Sequence, residues 1–125
     1  MKVSEYLKNK LDQGAVHVTL IDPVRQLPEV AGRLAETAQE VGSDLIFIGG
    51  SSGATQRGLM ETVGIVKERT NIPVVFFPAA TGALCFDFDA FLFLSLLNSR
   101  NSQFVTGANS RVAMVLKKFE MELIS

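Results

Sequence analysis

Apolar residues recur along this chain in two rhythms, one helical and one of short unbroken runs, and the two alternate. Leu27, Val30, Ala31, Leu34, Ala35, Ala38 and Val41 follow the i, i+3, i+4, i+7 spacing of one helical face, with Gly42 where a C-terminal cap would stand. A second helix is predicted over residues 55–69, with Leu59, Met60, Val63 and Val66 facing inward, a charged last turn and Pro73 beyond it as a stop. A third is predicted over 101–118 on Val105, Ala108, Val112 and Val115. Between them lie β-rich runs at 16–21, 45–48, 74–77 and 91–94, the last three almost wholly apolar, as strands covered on both faces are.

Alternation of this kind means βαβ units with parallel strands and right-handed crossovers, in an open doubly wound sheet or a closed barrel. Residues 78–89 show no helical periodicity, and an extended segment is expected there in place of a helix. Residues 120–124 are expected to begin a fifth strand. A parallel barrel needs eight strands in about 250 residues, so residues 1–125 are expected to form a single partial (β/α) barrel domain, truncated before its second half.

Composition then narrows the classes. A 47% hydrophobic content is ample for a core and argues against disorder. Twelve basic and thirteen acidic residues leave a net charge of −1, without the basic stripe that nucleic acid demands. The lone Cys85 cannot form an internal disulfide, and charged residues spread through the first 13 positions exclude a signal peptide, so a reducing, cytoplasmic setting is expected. The most apolar stretch, 90–97, falls far short of the roughly 20 residues that span a bilayer.

In parallel α/β folds the usable polar groups gather where strands end. That rule selects Asp22-Pro23, Gly49-Gly50-Ser51-Ser52-Gly53, Pro78-Ala79-Ala80-Thr81, and Ser95 with Asn98-Ser99-Arg100, all on one rim. Asp22 suits a hard cation such as Mg²⁺ held with substrate phosphates, or equally a cap of the next helix through Pro23. The glycine-rich turn at 49–53 offers backbone N–H groups as an anion cradle, though such turns also serve backbone geometry alone. It matches neither common nucleotide-binding glycine motif. Asp87-Phe88-Asp89 resembles a metal-binding pair but precedes a strand, on the opposite rim, and is read as a turn. His17, inside the first strand, is read as a hydrogen-bonded barrel residue, and no His/Cys cluster suggests zinc. Seven of the nine phenylalanines fall between Phe76 and Phe104, mostly as core.

Taken in order, His17-Val-Thr-Leu-Ile-Asp-Pro23, Gly49-Gly50-Ser51, Val74-Val-Phe-Phe-Pro78 and the run from Asp89 to Asn101 resemble the geranylgeranylglyceryl phosphate synthase family over nearly the whole chain. The wording is nearer this branch than its heptaprenyl relative. The resemblance implies the N-terminal part of a modified TIM (β/α)8 barrel whose third helix is replaced by an extended segment. It implies a prenyltransferase of ether-type phospholipid synthesis, moving a geranylgeranyl group from geranylgeranyl diphosphate to the 3-hydroxyl of sn-glycerol 1-phosphate with Mg²⁺. By motif, Asp22 and Ser51 match the metal ligands, and apolar residues near Phe76, Phe77 and Leu94 would face the prenyl chain; Gly49 and Gly50, from the cradle reading, are the candidate substrate-binding residues. Two departures stand out: Val24-Arg25 where the family has a further acidic residue, and Ala79 where it has glycine. The acceptor site is expected in the second half of the barrel, leaving the 125-residue chain weakly active or inactive. The alternative expectation is a non-catalytic half-barrel whose open strand edges drive self-association or docking with a second half.

Overall fold

A computed structural model of the chain describes residues 2–49, 55–77, 85, 87–92, 100 and 122–124. The element order is α1 (Val3–Gln13), β1 (Val18–Ile21), α2 (Pro28–Glu40), β2 (Leu45–Ile48), α3 (Gln56–Arg69), β3 (Val74–Phe76), β4 (Ala90–Leu92) and β5 (Leu123–Ile124). The strands form one sheet in the order β1-β2-β3-β4-β5, and every neighbouring pair is parallel. The expected βαβ alternation and the fifth strand are both present. Residues 93–94 of the fourth expected strand, the helix at 101–118 and most of the linker at 78–89 lie outside the described residues.

Alternation along each strand separates two apolar layers. Ile21, Ile46, Ile48, Val74, Phe76 and Phe91 point outward and meet Ala31, Ala35 and Ala38 of α2 and Leu59, Val63 and Val66 of α3. Leu45, Val75 and Ala90 point to the other, concave side, with Val18, Phe47, Leu92 and Ile124 packed beside them. Burying each of the large side chains contributes about 1.5–3 kcal/mol, against about 0–1 kcal/mol for an exposed ion pair such as Arg57–Glu61. The outer layer therefore dominates what holds the helices to the sheet.

Helix α2 departs from expectation in which face it buries. Leu27, Leu34 and Val41 are exposed, and its covered face is Ala31, Gly32, Ala35 and Ala38. At about 100° per residue the three large residues form the next stripe round the helix. Small residues win the inner position because α3 comes so close: a Cβ on Gly32 would lie 2.4 Å from Ile65 Cγ2. Met60 of α3, expected inward, is likewise exposed. The predicted stop of α2 is present as a Schellman turn. Gly42 N–H donates to Gln39 O, Ser43 N–H donates to Ala38 O, and Gly42 takes the φ of +103° that the motif requires. Helix α3 is capped by Thr55, whose hydroxyl accepts from Gly58 N–H at 3.0 Å.

The first helix was not anticipated. Val3, Tyr6 and Leu7 lay α1 across the N-terminal end of the concave face, against Leu45, Val75 and Ala90. Glu122, just ahead of β5, accepts from Val3 N–H at 2.6 Å and Ser4 N–H at 2.9 Å. A carboxylate on two free N–H groups at a helix start satisfies donors that no helical partner reaches. Among the described residues, no helix is long and apolar enough to cross a membrane.

Candidate functional site

Parallel pairing brings the C-terminal ends of the first three strands side by side. Gly49 N–H donates to Ile21 O at 3.1 Å and Phe77 N–H donates to Ile48 O at 2.8 Å, so Asp22, Gly49 and Phe77 follow one another along the rim. Gly49 is required there for space. A Cβ would sit 1.7 Å from the Phe77 carbonyl oxygen, and no side chain can occupy that position without separating β2 from β3. The Gly49 amide is thus committed to the sheet and is not free for an anion cradle. Gly50 and Ser51 lie outside the described residues.

Asp22 does not cap the next helix, because α2 begins at Pro28 with Leu27 as its N-cap. Its Oδ1 instead accepts from Val24 N–H at 3.0 Å, an Asx turn over Pro23. Its backbone carbonyl accepts from Arg25 N–H at 3.2 Å and from the Gln26 side chain at 2.6 Å. Oδ2 faces Arg25 Nε at 3.8 Å, the outer limit of an ion pair. The turn therefore holds the carboxylate in place through Oδ1, and among the described residues Oδ2 has a long contact to an exposed side chain. A hard oxygen donor with that spare capacity fits Mg²⁺, which takes one or two carboxylates and completes its shell with water and phosphate. Among the described residues no group of three or more His, Cys, Asp or Glu gathers that could hold a metal ion, so Asp22 stands there as a single carboxylate. The Arg25 contact was not foreseen from sequence; the i, i+3 spacing of opposite charges was the signal available for it.

Below this rim, Phe47 and Phe77 stack at 6.4 Å on the concave side. Phe76, expected toward a prenyl chain, turns the other way: it is buried in the outer layer, stacked on Phe88 at 4.7 Å and edge-on to Phe91 at 5.0 Å. Period-two alternation makes adjacent residues face opposite sides, so Phe77 alone of that pair faces the interior. Phe47 was missed because its run, Leu45 to Ile48, is apolar throughout and carries no alternation to mark its faces.

The opposite rim is a set of braces. Asp89 Oδ2 accepts from Val74 N–H at 2.8 Å, with Lys67 Nζ at 3.5 Å from its other oxygen, so the side chain expected in a turn braces the start of β3 instead. His17 stands just before β1, not inside it. Its Nδ1 lies 2.8 Å from Ser43 Oγ, which lies 2.7 Å from Thr19 Oγ1. His17 N–H also donates to Asp44 Oδ2 at 2.9 Å. That bond, with help from Lys10, holds the Asp44 carboxyl below the usual carboxylate range against the opposing effect of burial. Burial acts to raise Glu122, but the hydrogen bonds from the Ser4 hydroxyl and N–H and from Val3 N–H together outweigh it and lower its pKa.

Residues 6–125 match the model of the PcrB family. The geranylgeranylglyceryl phosphate synthase of Pyrococcus horikoshii is 44% identical over 123 residues, covering 98% of this chain and 48% of the relative. That of Methanosarcina acetivorans is 44% identical over 126 residues, covering 100% of this chain and 51% of the relative. The crystal structure of (S)-3-O-geranylgeranylglyceryl phosphate synthase from Thermoplasma acidophilum, in complex with its substrate sn-glycerol-1-phosphate, superposes with a TM-score of 0.95 at 35% identity over 99% of this chain and 50% of that one. The chain spans about half the length of the curated relatives it matches. Its parallel sheet and alternating helices are the corresponding part of a TIM barrel.

Proposed function

Because this chain belongs to the PcrB family, we propose that its C-terminal rim serves the diphosphate side of a prenyl transfer from geranylgeranyl diphosphate to the 3-hydroxyl of sn-glycerol 1-phosphate. The observation that carries the reading is Asp22, fixed by its own turn through Oδ1 with Oδ2 turned to an exposed arginine, at the strand end where barrel chemistry gathers. In the transfer, the bond between the allylic carbon and the diphosphate oxygen breaks, and the acceptor hydroxyl oxygen bonds to that carbon as its proton departs. Asp22 would hold Mg²⁺, with Ser51 as a second oxygen ligand. When bound, the metal neutralises charge collecting on the departing diphosphate. Gly49 keeps side-chain atoms out of the turn, and the stacked Phe47 and Phe77 supply apolar surface beneath it for the prenyl chain. The expected result is Mg²⁺-dependent binding of geranylgeranyl diphosphate by the chain and its loss by tenfold or more in Asp22→Asn. Equal binding by that variant, measured by calorimetry, would remove the basis of this assignment.

A second reading, a non-catalytic half-barrel that docks on a copy of itself or on a separate second half, is favoured by Leu20. This residue lies on the concave side of edge strand β1 and is 60% exposed. It predicts a mass by light scattering that rises with concentration, and a strictly monomeric species at all concentrations argues against it.

A further inference from the structure

Arg25 shares the turn of Asp22, and its side chain is 81% exposed. The turn is closed three ways: Val24 N–H on the Asp22 carboxylate, and Arg25 N–H and the Gln26 amide on the Asp22 carbonyl. The backbone of the turn therefore tethers Arg25 within side-chain reach of Oδ2 whatever else enters the rim. Without metal it is the counter-ion of that oxygen and competes with any cation for it. Once a cation takes Oδ2, the guanidinium is repelled from its old position, yet the tether keeps it beside the newcomer. An anion arriving with the cation is then its nearest opposite charge, and the planar donor fork of arginine matches two phosphate oxygens at once.

We propose that Arg25 is a displaceable counter-ion that passes from Asp22 to the diphosphate when Mg²⁺ takes the carboxylate, so that metal and anion binding are coupled through one side chain. The proposal rests on the reading of Asp22 as a Mg²⁺ ligand. It demands effects of opposite sign from one substitution. Arg25→Gln removes a competitor for Mg²⁺ and a ligand for diphosphate together. A surface ion pair of this length shifts an equilibrium by no more than about fivefold, whereas a lost bidentate, charge-assisted contact costs about tenfold or more.

Calorimetric titration of the full chain with Mg²⁺ alone, and then with inorganic diphosphate at saturating Mg²⁺, tests it. Arg25→Gln is expected to bind Mg²⁺ alone about two- to fivefold more tightly and diphosphate about tenfold more weakly. Arg33→Gln, the same charge change at an exposed site on α2, is expected to move neither. Arg25→Gln affinities that match wild type, or that shift in one direction, overturn the proposal, as does an equal response from Arg33→Gln. In each of these cases, loss of Mg²⁺ binding in Asp22→Asn shows that the Asp22 reading survives. Unchanged Mg²⁺ binding in Asp22→Asn, or no Mg²⁺-dependent diphosphate binding by wild type, overturns both. Circular dichroism of each variant separates these outcomes from misfolding.

Discussion

At the N-terminal rim, Asp44, Asp89 and Glu122 each accept from backbone N–H groups of another segment, tying the β2 entrance to His17, β4 to the start of β3, and the approach to β5 to helix α1. At the C-terminal rim, Asp22 bonds within its own turn among the described residues. The same side-chain type thus does two jobs. Where a carboxylate bridges elements its lone pairs are spent on the fold, and where it is held locally one oxygen keeps capacity for a ligand. The contrast follows a general asymmetry of parallel barrels, in which one strand end carries stability and the other chemistry.

The largest expected effect concerns what does hold the C-terminal rim. Gly49→Ala forces a methyl group into the Phe77 carbonyl and should destabilise the chain by about 3 kcal/mol, read as a lower denaturation midpoint. A loss under about 1 kcal/mol would mean that backbone contact is not what joins β2 to β3 there. Next comes the direct comparison of carboxylates. Asp89→Ala strands the Val74 amide and should cost about 1–2 kcal/mol, while Asp22→Asn, which keeps an Asx-turn acceptor, should stay within about 0.5 kcal/mol. Equal destabilisation of the two would erase the distinction between the rims.

Glu122→Ala removes the partner of two helix N–H groups and should cost about 1 kcal/mol by chemical denaturation. Smallest is the pH effect. Asp44 and Glu122 both have folded-state pKa values below their ordinary ones, so the stability they contribute is complete above those ordinary values and is lost as pH falls through the lowered ones, below about pH 4. Thermal unfolding followed from pH 7 to 3 should show a shallower acid decline for the Asp44→Asn, Glu122→Gln pair than for wild type. Identical declines would show that acid sensitivity lies elsewhere.

Local pattern carried the reading where local physics decides the outcome. Strands β2, β3 and β4 were legible because both their faces are covered, which forces short unbroken apolar runs. The end of α2 was legible because a left-handed residue after a helix favours glycine, and Gly42 is that residue. Asp89 was legible by position as lying off the chemical rim, but its brace to Val74, 15 residues away, was not. The buried face of α2 was not, because large residues advertise burial while a close helix pair selects small ones. Helix α1 went unread although Val3, Tyr6 and Leu7 sit at helical spacing, since its first N–H groups are satisfied by Glu122, 119 residues away in the chain.

The sequence by itself determined the alternation of strands and helices, the parallel sheet and the placing of Asp22 at a strand end, because each follows from periodicity and backbone preference within a few residues. Only the tertiary structure decided that Gly49 is pressed against Phe77 and that Phe77 and Phe47 share the concave face while Phe76 leaves it. Those depend on which strands lie side by side, and separation along the chain holds no record of that.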